Sequence, residues 1–170
     1  GHGIHLEKAE LETLAKTNTA IAHCPTSNAP IKQKGLGSGL FNFKQAEKFK
    51  IRWALGSDIG GGPVLSMFDV MRSFVDQNLK DNISGASYKK ALYRATLAGA
   101  EILEVQKTQG NLTVGKQANF LVLPKLTKID GLGVEEILAR YINRGRKKRI
   151  TYDNLVEKVF YKGNIIFSKN

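Results

Sequence analysis

Cysteine is almost missing from this chain: Cys24 is the only one in 170 residues. One thiol forms no internal disulfide and no Cys-rich zinc site, so a reducing compartment, the cytoplasm, is the expected location. Histidine is also scarce, with three residues, His2, His5 and His23. No His-x-His or His-Glu-x-x-His pair occurs among them, so no local motif announces a metal. No apolar run approaches the ~20 residues that cross a bilayer, which excludes a membrane helix. No basic segment followed by an apolar one opens the chain, so no signal peptide is read there. Acidic residues are outnumbered, 15 against 26 Lys and Arg, for a net charge of +11. Five of those cations lie in one stretch, Arg144-Gly145-Arg146-Lys147-Lys148-Arg149. Such a run can meet nucleic-acid phosphates, and a non-catalytic basic nucleic-acid-binding module is the alternative from another functional class. The run lacks the interleaved aromatics that stack bases, so we read it as a solvated loop and expect no nucleic-acid partner.

What is present is an ordinary globular composition, 42% apolar and 24% charged. Residues 7–16 place Leu11, Leu14 and Ala15 at helical spacing, with Asn18 as the stop. Residues 19–24 are short, apolar and β-branched, which reads as a buried strand. A Pro-, Ser-, Asn- and Gly-containing loop is expected over 25–39, and a helix over 40–50 with Phe41, Ala46 and Phe49 inward. A second buried strand covers 51–56. Met67, Val70, Met71, Phe74 and Val75 recur at three and four, predicting a helix over 66–77. Residues 88–104 are helical in composition, with a break expected near Gly99. Strands alternating with helices argue for an α/β fold built from βαβ units on a parallel sheet. After about residue 108 the pattern changes to a strand at 119–124, a helix at 134–141 and a hairpin over 155–167 around Lys162-Gly163-Asn164.

In parallel α/β sheets ligands bind at the carboxyl ends of the strands. Three successive strand ends carry His2, His23 and Asp58. Asp58 is the sharpest of these, because it follows a buried strand and precedes Gly60-Gly61-Gly62, where backbone can approach a ligand closely. Its bland alternative is a turn residue capping the next helix. His plus Asp suits a borderline divalent metal such as zinc. His5 reads as a surface or helix-start residue and Cys24 as a buried structural thiol rather than a nucleophile. The glycine triplet lacks the Gly-Lys-Ser/Thr ending of a phosphate loop, so it reads as close packing of backbone against a ligand or helix.

Several of these residues match a known pattern. Ala22-His23-Cys24-Pro25-Thr26-Ser27-Asn28, and Leu55-Gly56-Ser57-Asp58-Ile59-Gly60-Gly61-Gly62 followed by Ser66-Met67, resemble the guanine deaminases of the metal-dependent amidohydrolase superfamily. Gly1-His2-Gly3 resembles that family's step at the end of barrel strand six. Gly110 to Phe120 and the terminal hairpin resemble the step into, and the last strands of, its small β-sandwich; Asn119 stands where the family often has Asp. The resemblance implies the C-terminal part of a TIM-like (β/α)8 barrel, strands six to eight, over residues 1–108, and part of the sandwich over 109–170. It implies zinc-dependent hydrolytic deamination of guanine to xanthine and ammonia, one Zn2+ per complete site, with Fe2+ as the other acceptable ion. The alternative within the superfamily is another nucleobase or heterocycle. Asp58 is then metal ligand, proton acceptor and substrate contact, and His2 polarises the attacking water. His23 shapes the loop wall without ligating metal, and Ser27 and Asn28 organise their turn by side-chain to backbone bonds. The family's other metal ligands have no counterpart here. The implied partners are therefore a purine, the missing N-terminal part of the same enzyme and a second copy in a homodimer.

Overall fold

A computed structural model describes residues 1–148 and 155–169. The first helix, α1 (Lys8–Lys16), starts at a capping box in which Glu7 and Glu10 exchange side-chain and backbone bonds. It leads to β1 (Ile21–His23), which pairs in parallel with β2 (Trp53–Leu55), Ile21 opposite Trp53 and His23 opposite Leu55. A parallel pair needs a crossover. Here it contains the short α2 (Pro25–Asn28), a 3-10 turn (Ile31–Gln33) and α3 (Phe43–Lys48), whose cap is the Asn42 side chain. The predicted loop over 25–39 is thus partly helical, because Pro25 at the first helical position presets the turn.

After β2 come α4 (Met67–Lys80), α5 (Tyr88–Ala95) and α6 (Leu97–Ile102). The helical break lies at Thr96, with φ −131° and ψ −91°, and not near Gly99. The Thr96 hydroxyl bonds back to Leu92 O at 2.7 Å, while Gly99 lies inside α6. Val70, Met71, Phe74 and Val75 are buried as their spacing predicts. They enclose Trp53, which is fully buried among Phe41, Phe43 and Phe74 at ring-centroid distances of 5.5, 6.0 and 5.5 Å. Arg94 lies over the Trp53 ring at 4.1 Å and donates to Trp53 O at 3.0 Å. Its other nitrogen, with Lys90, binds Glu47.

The remaining elements are β3 (Phe120–Val122), α7 (Val134–Lys148), β4 (Lys158–Tyr161) and β5 (Asn164–Ser168). The three strands form an antiparallel sheet in the order β3-β4-β5. Phe120 stacks on Phe160 at 4.4 Å, and the hairpin closes through Lys162-Gly163, both at positive φ, with Asn164 already in the strand. Helix α7 packs Ile142 into the core, and its Glu135 carboxylate accepts the Tyr88 and Lys89 amides at the start of α5. It runs further than predicted. Residues 144–148 of the basic run are helical rather than loop, since Lys and Arg are good helix formers and cations suit a helix C-terminus. Arg149 lies outside the described residues. Among the described residues no helix is long and apolar enough to cross a membrane.

Candidate active site

The carboxyl ends of β1 and β2 gather the predicted chemistry. Asp58 follows β2, and His2 runs beside β1, its backbone N–H donating to Ala22 O at 2.8 Å. Across the end of β1, His2 Nε2 lies 3.8 Å from Asp58 Oδ2. Both residues hold left-handed backbone, φ 67° and 52°. That conformation is uncommon outside glycine, and strain of this kind clusters at functional sites. Asp58 does not cap the next helix, which begins after Ser66.

Helix α2 joins the two. Ser27 Oγ donates to Asp58 Oδ2 at 2.7 Å, and the Asn28 amide lies on His2 Nδ1, its nitrogen at 3.1 Å and its oxygen at 3.3 Å. The expectation that Ser27 and Asn28 would bond to backbone is therefore corrected. Three of their four backbone groups are already engaged: Asn28 N–H donates to Cys24 O, Leu36 N–H to Ser27 O and Gly39 N–H to Asn28 O. The side chains are free to reach the strand ends. All four residues of α2 are buried, and Gln77 of α4 donates to Pro25 O at 2.9 Å. Sequence reasoning missed this joint role, although a polar Ser-Asn pair between two candidate strand ends was its signal.

The glycine triplet wraps Asp58. Gly61 N–H donates to Asp58 O at 3.0 Å, and a Cβ on Gly61 would lie 2.8 Å from Asp58 Oδ2. The Gly61 backbone thus packs against the Asp58 carboxylate of its own turn, rather than against the ligand or helix expected. His23 is not part of the pair and does not line the loop wall as expected. It is 1% exposed, its ring 4.7 Å from Phe41 and 6.1 Å from Phe74, and neither ring nitrogen has a protein hydrogen-bond partner. Burial, reinforced by nearby His2, lowers its pKa from 6.5 to about 3. His5 is exposed with Nε2 2.9 Å from Ser38 O, a surface role. Burial first and the Asp58 charge second raise the Cys24 pKa, keeping the thiol protonated and weakly nucleophilic.

Asp58 brings an oxygen donor suited to zinc, with a histidine beside it. A catalytic zinc takes three protein ligands, and among the described residues no three His, Cys, Asp or Glu side chains converge to hold a metal ion. Asp58 would therefore fit a metal centre only as one member of a larger ligand set. A carboxylate and an imidazole at this distance can together accept and return a proton beside a bound electrophile.

Comparison with known proteins sets this geometry in context. The sequence matches the amidohydrolase family over residues 1–166. It is 31% identical over 170 residues to the guanine deaminase of Escherichia coli (strain K12), covering 99% of this chain and 37% of that protein. The guanine deaminase of Homo sapiens is 33% identical over 130 residues, 73% of this chain and 28% of that protein. The solved structure of E. coli guanine deaminase superposes with a TM-score of 0.82 at 30% identity, over 98% of this chain and 38% of the other. That of guanine deaminase from C. acetobutylicum, with guanine in its active site, gives 0.78 at 28% identity over 98% and 38%. The chain thus spans well under half the length of the relatives it matches.

Proposed function

The chain belongs to the amidohydrolase family, and on that premise we propose that it forms part of an enzyme converting guanine and water to xanthine and ammonia. The observation that carries the proposal is the His2–Asp58 pair, 3.8 Å apart across the carboxyl end of β1. The mixed helix–strand fold is that of the family. In our reading, residues 1–108 supply strands six to eight of a TIM-like barrel and residues 109–170 part of the small β-sandwich. A segment outside this chain supplies the other metal ligands, so these 170 residues alone are expected to be inactive. A cytoplasmic homodimer with one zinc per site completes the reading.

Asp58 is the residue here that would hold the metal. Zinc, when bound, would lower the pKa of water toward ~7 and so supply a nucleophile at neutral pH. The Asp58 carboxylate takes the proton released as water adds to the ring carbon bearing the amino group, and it faces that carbon as a substrate contact. His2, its Nε2 3.8 Å from Asp58 Oδ2, orients the attacking water and stabilises the charge that develops on that water's oxygen once it has added to the ring. The proton held at Asp58 is available to the departing nitrogen, which leaves as ammonia, so the water is consumed and no other reactant is needed.

The test is to assay the full-length protein containing this chain against guanine and a panel of other nucleobases, metal-replete and after chelation. Xanthine is the expected product, lost on chelation and restored by zinc. Asp58→Asn should lower the rate by at least the ~10²–10⁴ that positioned proton transfer contributes. A metal-replete, folded protein that leaves guanine unchanged would refute the proposal.

A further inference from the structure

The reacting pair is held by consecutive residues of one buried turn, and that arrangement assigns a further residue to the reaction proposed above, on which this inference rests. We propose that Asn28 is a positioning residue: its amide nitrogen donates to His2 Nδ1, fixing the neutral imidazole as the Nε2–H tautomer with that hydrogen directed into the site.

Nδ1 of His2 has both ends of the Asn28 amide within reach, the nitrogen at 3.1 Å and the oxygen at 3.3 Å. The two arrangements differ in what the ring presents on its far side. If Asn28 Oδ1 accepted from Nδ1–H, the lone pair of Nε2 would face the Asp58 carboxylate, 3.8 Å away. A lone pair opposed to an anion is unfavourable. If Asn28 Nδ2 donates instead, Nε2 carries the hydrogen and a donor faces the anion. The charge of Asp58 selects the second arrangement.

Asn28 can impose that choice because it cannot easily move. It is 2% exposed. Its N–H donates to Cys24 O at 3.0 Å, and its carbonyl accepts Gly39 N–H at 3.3 Å. Gln77 anchors the start of the same turn on α4. The neighbouring Ser27, fully buried, fixes Asp58 by its 2.7 Å bond. One rigid turn therefore sets two things at once: the orientation of the carboxylate and the nitrogen on which the imidazole carries its hydrogen. The consequence for the reaction is specific. An Nε2–H donor can support an oxygen that gains negative charge; an Nε2 lone pair cannot.

The experiment reads the tautomer directly, by ¹⁵N shifts of the His2 ring in the full-length protein, at a pH above the ordinary imidazole range. His2, His5 and His23 are assigned by substitution. The wild type should carry its hydrogen on Nε2. Asn28→Asp presents only acceptors, so the hydrogen should move to Nδ1 and kcat on guanine should fall about 10–100-fold, the usual effect of removing a group that orients a site residue, with KM changed less than about threefold. Asn28→Ala should give a tautomer mixture and an intermediate kcat. A wild-type ring protonated on Nδ1, or an unchanged tautomer in folded Asn28→Asp, would overturn the proposal. If neither variant folds, the wild-type tautomer decides alone. Should the wild type show the Nε2–H form and the inversion yet leave guanine unchanged, the deaminase reading fails and the positioning role stands.

Discussion

Lowering the pH should destabilise this fold through His23, and His23→Phe isolates the effect. The imidazole is 1% exposed, packed on Phe41, Phe74 and Trp53, with no protein hydrogen-bond partner at either nitrogen. In the unfolded chain it takes a proton below 6.5; in the folded protein only below about 3. Between those limits the unfolded state binds more protons, so unfolding free energy falls as pH falls. The contribution is complete above 6.5 and lost progressively down to about 3. Each pH unit within that window is worth ~1.4 kcal/mol, so a drop from neutrality to near pH 5 removes about 2 kcal/mol. That is a large share of the ~5–15 kcal/mol that holds a domain together. Phenylalanine fills the same aromatic site and cannot titrate. Urea unfolding of both proteins at neutral pH and near pH 5 should show the wild type losing about 2 kcal/mol more than the variant. His23→Leu is a second, smaller replacement in case Phe overpacks the site. Equal losses in wild type and variants, or a His23 ring that titrates near its ordinary value in the folded protein, would refute the reasoning.

Glu47 binds Lys90 at 2.8 and 2.9 Å and Arg94 at 3.0 Å, while the two cations cover Phe43 and Trp53. Glu47→Gln should lower stability by about 1–2 kcal/mol, less than a fully buried pair would lose because Glu47 is 33% exposed; the urea midpoint checks it, and the difference should shrink in high salt. Gly61→Ala puts a methyl 2.8 Å from Asp58 Oδ2 without demanding an unusual φ. It should displace the carboxylate and cut kcat on the order of 10²-fold, with a stability loss under about 1 kcal/mol, measured by guanine turnover beside thermal unfolding.

The element order was legible because burial and periodicity agree over most of the chain. Residues 66–77 repeat apolar side chains at three and four, and Val70, Met71, Phe74 and Val75 are all buried in α4. The strands at 19–24 and 51–56 are short apolar runs, and they pair in parallel as alternation with helices requires. Where the reading failed, a local rule was outweighed. Gly99 is the weakest helix former of its segment, yet the break falls at Thr96, whose hydroxyl satisfies Leu92 O. Five positions of the basic run were assigned to loop on charge alone. They continue α7, whose first turn carries Glu135 and Glu136, so the charges are ordered acid to base along the dipole. Phe43 was not counted inward, because its partners Trp53 and Phe74 are distant in sequence.

The site divides in the same way. Asp58 and His2 were visible as polar residues at strand ends, since strand direction alone decides where those ends point. What joins them was not visible, because it depends on how a loop returns over the sheet. Ser27 and Asn28 look like turn residues, and turn residues ordinarily use their side chains on nearby backbone. Here Pro25 starts a helical turn that closes through Asn28 N–H to Cys24 O, and the returning segment takes the carbonyls of Ser27 and Asn28 through the Leu36 and Gly39 amides. With those groups satisfied, both side chains reach further, Ser27 to Asp58 and Asn28 to His2. His23 shows the converse. It ends a strand as His2 and Asp58 border theirs, but its side chain alternates to the buried face of β1, where burial holds its pKa far below the ordinary value. Position at a strand end is therefore not enough to bring a histidine beside Asp58; the facing of the side chain decides which histidine lies there.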